Sequence, residues 1–484
     1  MRARLKAVPR AAKACALIAL LNGIAWSLLI PPLQSFDEPV HVYYGQFLAE
    51  TYNVPRPVQG TVLSEEEVAI VNAVRLFDVV GNQDGAPPWT RIEDRALDRT
   101  LGSGLGRVSQ GADGGVGVYP PLYYGLGAVA YKATPGGSLL DRMAAMRLVS
   151  ALLAAVAALF CCLFARELLP GRQWAWAAAG VIAAFQPTFG YLSGAFNPDV
   201  AVTAAGAALF YAIARAHRRG FTPWLAAAIG GALALGFLSK LAFAGLVPGA
   251  ALAVLLLAWR QRAWLAGGVA ALAAGVPVFL YALLNVTVWD RPALVGGSGE
   301  AAVGGGGIVT QSFNVREALV YIWQVHLPRL PFMSDRASDY PLWDRYFTQW
   351  VGRFGWGDYE FPSWVPVVAL AIGLILLAAA LALALRHRGA FLRRWPEWLS
   401  YAAIAGGLLL LLAYTGYDYS RNTGLGFEQG RYLLPLHALY AGLVAAGLRG
   451  FGARAGPVVA AVLVVLAAGM SVWAQLLTVA RFYG

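Results

Sequence analysis

Residues 119–133 read Tyr-Pro-Pro-Leu-Tyr-Tyr-Gly-Leu-Gly-Ala-Val-Ala-Tyr-Lys-Ala, an apolar run that opens on two prolines. A membrane-spanning helix needs ~20 predominantly apolar residues, and this run falls short of that length. Whether it crosses the membrane decides the orientation of every helix after it. The tendency of short cytoplasmic loops to collect Lys and Arg supplies the test. If 119–133 stays at the interface, the connections holding Arg166/Arg172, Arg215/Arg218/Arg219, Arg260/Arg262, Arg386/Arg388/Arg393/Arg394 and Arg449/Arg454 all fall in the cytoplasm. If it crosses, all five fall outside. The charge pattern therefore predicts that 119–133 does not span.

Around that pivot, apolar segments near 14–32, 143–165, 174–193, 199–216, 222–239, 241–259, 263–287, 364–385, 397–414, 432–449 and 456–477 predict an all-α integral membrane protein of about 11 transmembrane helices. Composition agrees, since 58% of the 484 residues are hydrophobic and 13% charged, against ~25% charged in soluble domains. The formal net charge of +11 sits in short clusters between apolar segments and not on one soluble face, which argues against a nucleic-acid partner. Basic residues in the first 13 positions precede an apolar run at 14–30 that ends in Pro31-Pro32-Leu33 without a small-x-small cleavage site. This reads as a retained first helix with its N-terminus in the cytoplasm. The Ala/Gly/Leu/Arg-rich composition suggests a bacterial inner membrane.

Three long segments, 32–142, 289–364 and 414–431, then lie on the extracytoplasmic face, joined by short turns at 193–199 and 239–240. The chain divides into a module at 1–287 that includes the outer loop 33–142, a second outer loop at 288–363, and C-terminal transmembrane helices at 364–484. In the first loop, Ser64-Glu65-Glu66-Glu67 leads into an apolar-periodic stretch, the start signal of amphipathic juxtamembrane helices. The glycine-rich patch 296–307 is expected to be mobile. Cys15, Cys161 and Cys162 lack metal-ligand spacing, which excludes zinc and redox-motif chemistry.

The residues with chemical capacity gather on that outer face. Phe36-Asp37-Glu38-Pro39-Val40-His41 follows the first helix directly. Two adjacent carboxylates and an imidazole at a membrane surface suit a general-base site, whereas Asp before a proline at a first helical position equally suits a helix cap. Tyr119 and Tyr123 of YPPLYY fit an aromatic interfacial belt or a sugar-stacking surface. Asn197-Pro198-Asp199 fits a helix-capping turn or a site turn. Lys240 stands alone between two apolar helices, where a cation either snorkels or meets an anion such as phosphate. Arg431, in FEQGRY at 427–432, runs against the positive-inside preference and so calls for an anionic partner, either Glu428 or a ligand phosphate. His326, Arg329, Asp335, Arg336, Asp339, Asp344 and Arg345 crowd the second loop without a ranking. A Walker loop, a nucleophile elbow and an HExxH motif are all missing, so a donor already activated and anchored in the membrane is implied.

Taken in order, these motifs resemble the GT-C superfamily of membrane glycosyltransferases, including protein O-mannosyltransferases and the aminoarabinose transferases that modify lipid A. FDEPVHVYYG is similar to the acidic Phe-Asp-Glu-x-His-Phe-Gly motif after their first helix, with one extra residue before the histidine. YPPLYY resembles their Pro-Pro-Leu motif, Arg147 in RLVSALLAAV the arginine of their next helix, and NPD and LSKLAF their Pro-Asp and threonine-lysine turns. The ordered match covers roughly residues 14–250. The DEPxH start and QGRYLLP ending also resemble a bacterial multispanning family of unknown function.

The GT-C resemblance implies a polyprenyl-phosphate sugar as donor, a glycan, glycolipid or protein acceptor, and inverting in-line displacement with Asp37 as general base. Glu38 joins Asp37 in the catalytic pair, and His41 orients base or acceptor. Lys240, Arg431 and Arg147 stabilise the departing phosphate, and Tyr119, Tyr123, Asn197, Asp199 and Glu428 complete the substrate site. No cofactor is implied for a monophosphate donor, while a diphosphate donor calls for a divalent metal. Two other readings compete. A polymerase or ligase using lipid-diphosphate-linked saccharides predicts arginine-dominated outer loops. A transporter of lipid-linked saccharides predicts polar groups near the midplane, where these helices are almost uniformly Ala, Leu, Val and Gly.

Overall fold

The computed structural model describes the chain except residues 1–7, 57–61, 81, 83–88, 110, 112–114, 295–313, 335–341, 424–425 and 484. Nine helices among the described residues are long and apolar enough to cross a membrane. Two of the eleven expected segments fall outside that criterion. The helix Pro223–Ser239 is apolar but shorter, and the segment near 174–193 is broken into Gln173–Ala184 and Pro187–Ser193. Pro187 explains the break, because it brings no N–H and its ring crowds the preceding turn. Gln186 caps the second piece by accepting from the Phe189 N–H at 2.6 Å. The glycine-rich patch 296–307 lies outside the described residues.

In chain order the helices used below are α1 (Arg10–Leu29), α2 (Glu38–Thr51), α3 (Glu65–Ala73), α4 (Arg91–Leu101), α5 (Leu122–Lys132), α6 (Leu139–Leu168), α7 (Asp199–Arg219), α8 (Pro223–Ser239), α9 (Trp364–Arg386), α10 (Arg388–Arg393), α11 (Trp395–Thr423), α12 (His437–Gly450) and α13 (Gly452–Tyr483). A 3-10 turn, Gly430–Leu436, leads into α12. The pivotal segment forms α5, whose 11 residues rise ~16 Å, about half of the ~30 Å hydrocarbon thickness. It lies against α2 and α6 with Tyr123, Tyr124 and Tyr131 buried. The juxtamembrane helices form where their start signals stand: Ser64 and Glu67 close a capping box on α3, and Thr90 and Glu93 do so on α4. A small antiparallel hairpin, β1 (Arg353–Phe354) and β2 (Tyr359–Glu360), was not anticipated from the sequence.

α7 is the central helix. It is 78% buried over its apolar window, whereas α9 is 6% buried and faces outward. The alanines and Gly206 of α7 allow this, since small residues let backbones approach closely in a membrane. A Cβ on Gly206 would collide with the Pro435 carbonyl, so the 430–436 turn seats directly on α7 because that position is glycine. The first and last helices are tied by Asn22, whose Oδ1 accepts from Ser471 and Gln475 at 3.1 Å each. At the end of the bundle formed by the C-termini of α6 and α7, arginines meet two buried carboxylates. Glu167 takes Arg215 at 3.2 Å and Arg219 at 2.9 Å, and Glu397 takes Arg394 at 2.7 Å and Arg218 at 3.4 Å.

Candidate functional site

The opposite end of the bundle gathers residues that the sequence scatters over nearly four hundred positions. Asp37 occupies the N-cap position of α2 with Pro39 in the first turn, as the capping alternative requires, yet its side chain makes no cap hydrogen bond. Its backbone is left-handed, with φ 56°, a conformation that costs a non-glycine residue ~1–3 kcal/mol and persists where the surroundings over-determine it. They do so here. Asn197 Nδ2 donates to the Phe36 carbonyl at 3.1 Å on one side, and on the other Glu38 is buried and anchored.

The turn sends the two carboxylates to different places. Glu38 accepts from Arg147 Nε at 2.7 Å, from Arg147 Nη2 at 2.6 Å and from the Phe196 N–H at 3.0 Å. The remaining donors of Arg147 reach the carbonyls of Ser27, Ile30 and Pro31 at 3.1, 2.8 and 3.1 Å. All five guanidinium N–H groups are thus used, and they close the C-terminal end of α1. This corrects the expectation for both residues: Glu38 has no exposed oxygen for catalysis, and Arg147 keeps no donor for a phosphate.

Asp37 instead meets Arg431 in a hydrogen-bonded ion pair. Arg431 also donates to Gln429 Oε1 at 2.6 Å, lies 3.7 Å from Asp199 Oδ2, and stacks over Phe36 at 5.2 Å and Tyr432 at 5.4 Å. Asp199 Oδ1 accepts from Lys240, whose ammonium sits 5.1 Å from the Tyr432 ring and 5.9 Å from the Tyr119 ring. Asp37, Arg431, Asp199 and Lys240 therefore form a chain of alternating charge. Arg431, Lys240 and Asp199 are 3–6% exposed at their side chains, but Asp37 is 42% exposed and forms the open face. Two atoms within the cluster, Arg431 Nη1 and Asp199 Oδ2, are buried without a hydrogen-bond partner among the described residues. Burial pushes the Asp37 carboxyl up, but the charge of Arg431, helped by His41, by the Arg431 hydrogen bond and by Lys240, outweighs that and holds it at about 2.

The other expected residues divide between this cluster and its scaffold. His41 is buried one helical turn beyond Asp37 and shares a hydrogen bond with the Tyr124 hydroxyl at 2.9 Å. Burial pulls it down, and Lys240 and Arg431 add to that against Asp37 and Asp199, leaving it at about 3 and therefore neutral at ordinary pH. Asn197 holds the Asp199 N–H at 2.9 Å, so the NPD turn both caps α7 and presents a site carboxylate. Tyr123 is buried against Phe196 at 4.7 Å with its hydroxyl on Ser150 at 2.8 Å, which makes it packing beneath the turn and corrects its assignment as a substrate contact. Glu428 is buried and held by the Tyr321 hydroxyl and by Arg345 at 3.3 Å. The anionic partners of Arg431 are Asp37 and Asp199 instead. Phe36, Tyr124 and Tyr432 were missed as members. All three lie inside the FDEPVH, YPPLYY and FEQGRY motifs, but ring orientation leaves no mark in spacing.

The family described as predicted membrane protein, DUF2142, matches residues 20–440. No curated protein matches the chain by sequence. Similar solved structures include the oligosaccharyltransferase of Archaeoglobus fulgidus tethered through a disulfide to an acceptor peptide containing the NVT sequon. It has 14% identity and a TM-score of 0.49 over 98% of this chain and 55% of that one. The same archaeal enzyme in complex with an inhibitory peptide and a dolichol-phosphate gives 13% identity and a TM-score of 0.47 over 96% and 56%. The chain thus spans about half the length of those enzymes.

Proposed function

The chain belongs to the DUF2142 family of predicted membrane proteins, and from that premise we propose that it is a GT-C-type glycosyltransferase moving a sugar from a polyprenyl-phosphate donor to an acceptor hydroxyl. One observation carries the reading: an open carboxylate, Asp37, stands beside two buried cations, Arg431 and Lys240, at one end of a membrane bundle. That pairing suits a reaction that must take up a proton and stabilise a leaving phosphate within one small space. The acceptor oxygen attacks the anomeric carbon as the bond from that carbon to the phosphate oxygen breaks, with inversion, and the hydroxyl proton passes to Asp37. The charge left on the lipid phosphate falls to Arg431 and Lys240. Phe36, Tyr119 and Tyr432 supply rings at the same place.

The pair with Arg431 holds the base in check, because a carboxylate paired with a guanidinium is a weak proton acceptor. A donor phosphate supplies the hydrogen-bond partner that Arg431 Nη1 lacks. As Arg431 turns part of its charge to the phosphate, Asp37 is released toward ordinary basicity. Two cations suffice for a monophosphate leaving group, and a diphosphate donor would add the need for a divalent metal. The acceptor is a glycan, glycolipid or protein hydroxyl.

The test uses purified protein, synthetic polyprenyl-phosphate sugars carrying a radiolabel, and membrane extract as acceptor. Transfer or donor hydrolysis by the parent is expected, with Lys240→Gln lowering it ~10–100-fold, the loss typical of a hydrogen bond to a charged group. Absence of both turnover and donor binding would overturn the reading.

The same proposal sets the active end on the extracytoplasmic face of a bacterial inner membrane, with the N-terminus in the cytoplasm. Gly136 and Gly171 are both exposed with open space at Cβ, and the three native cysteines are buried. An impermeant maleimide should label Gly136→Cys in intact spheroplasts and Gly171→Cys only after lysis. The reverse pattern would invert the topology.

A further inference from the structure

α6 and α8 both pack against α7, and the space between them is a groove of about 1050 Å³. Its floor is the alanine face of α7, with Ala201, Ala204, Ala208 and Ala212 at the spacing that puts residues on one helix face. From Ala201 to Arg219, both lining residues, α7 rises ~27 Å, close to the ~30 Å hydrocarbon thickness. The groove therefore runs almost from one side of the membrane to the other.

Its two ends differ. One reaches Ser239 and Leu122 beneath the charged cluster. At the other, Arg166, Arg215 and Arg219 line the opening beside Trp224, and no acidic residue occurs among the described lining residues. The carboxylate that Arg215 and Arg219 share, Glu167, stands behind them at 3.2 and 2.9 Å. Three guanidinium charges against one carboxylate leave two positive charges at the mouth of an apolar slot. Arg215 and Arg219 remain 35% and 50% exposed at their side chains, so an incoming anion can reach them. Trp224 is 73% exposed, as suits an indole at the headgroup level.

We propose that this end of the groove is a binding site for an anionic phospholipid, with its phosphodiester on Arg166, Arg215 and Arg219 and its acyl chain along the alanine floor. A soluble anion would leave the apolar walls unused, and a zwitterionic lipid would bring its own cation to a mouth already positive. An anionic phospholipid satisfies both halves. The site is separate from the proposed transfer chemistry, and its test needs no turnover.

The protein is purified in detergent, reconstituted in nanodiscs of phosphatidylcholine with or without phosphatidylglycerol, and read by mass spectrometry of retained lipid and by thermal unfolding. Retention of phosphatidylglycerol is expected, with an upward shift of Tm relative to phosphatidylcholine alone. Arg215→Gln with Arg219→Gln should cut retention ~10–30-fold, the effect of two arginines at a charged lipid surface. Ala208→Phe, which fills the slot and leaves every arginine in place, should abolish it, so the answer does not hang on the folding of the arginine variant. Arg388→Gln with Arg393→Gln, exposed on α10 and away from the groove lining, should change neither reading. Equal losses in that control, or equal retention of phosphatidylcholine, would reduce the effect to general surface charge and overturn the site. Recovery of a polyprenyl lipid alone, displaced by Ala208→Phe and indifferent to the arginines, would overturn it too.

Discussion

Asp37→Asn is expected to lower sugar transfer ~10²–10⁴-fold, the range typical for loss of a positioned general base, with only a modest fall in thermal stability from the lost ion pair with Arg431. Asparagine tolerates the left-handed backbone that this position imposes, and the side chain is already 42% exposed. Folding therefore loses the charge of the pair and keeps the geometry of the turn, with Asp199 at 3.7 Å left as the counter-charge of Arg431. The amide cannot accept the acceptor's proton as a carboxylate does, and it removes the counter-charge that occupies Arg431. Donor binding should accordingly survive or tighten as turnover collapses, a split that distinguishes a base from a residue that merely holds the site. The pH dependence has a definite sign. A base works when deprotonated, so activity falls as pH drops through its pKa. With Asp37 held at about 2 in the free protein, kcat/KM should show no acid limb from this group above pH ~3, whereas kcat, which reports the donor-bound state, should show one at higher pH. Equal kcat for parent and variant would remove Asp37 as the base.

The second large effect concerns stability. Arg147→Ala should destabilise the protein by ~3–5 kcal/mol, because removing one partner of a buried ion pair strands the other charge. Here it also takes the donor from the Ser27 and Ile30 carbonyls at the end of α1, while the Pro31 carbonyl keeps the Gln34 N–H. Glu38→Gln should do the same more mildly, since an amide still offers Arg147 one acceptor. Thermal unfolding in a fixed detergent measures both. If Arg147→Ala proved as stable as the parent and lost only affinity for the donor, Arg147 would be a phosphate ligand, as the family resemblance implied.

Those two variants mark how far the sequence could be read. Hydrophobic run length was enough to give an all-α membrane protein, because it is a local property of the chain, and α5 is too short to stand among the nine described helices able to cross. The motifs themselves were also legible, and Asp37, His41, Tyr119, Asn197, Asp199, Lys240 and Arg431 do converge. What could not be read is which way adjacent side chains point. Asp37 and Glu38 are neighbours with the same chemistry, and one left-handed residue turns the first to the opening and the second to Arg147. The partner of Arg431 was equally hidden. Glu428 is three positions away, whereas Asp37 is 394 positions away, and only the packing of the 430–436 turn on Gly206 brings it near. The break at Gln186-Pro187 went unread because a proline in an apolar run fits either a kinked span or two short pieces.

That long separation also sets a timetable for biosynthesis. Asp37 enters the membrane with the first helix, but the arginine that neutralises it emerges from the ribosome only after six further spans of the long apolar kind have been made. Throughout that interval the carboxylate stands without its principal counter-ion, and the seat for the 430–436 turn on α7 is empty. A chain stalled before residue 431 can hold the base and Lys240 yet lacks the group that governs both the base and the proposed leaving phosphate. Competence for the proposed chemistry is in this way deferred until residue 431 has been made, so that products interrupted before it are expected to be inert toward the proposed lipid-linked donor.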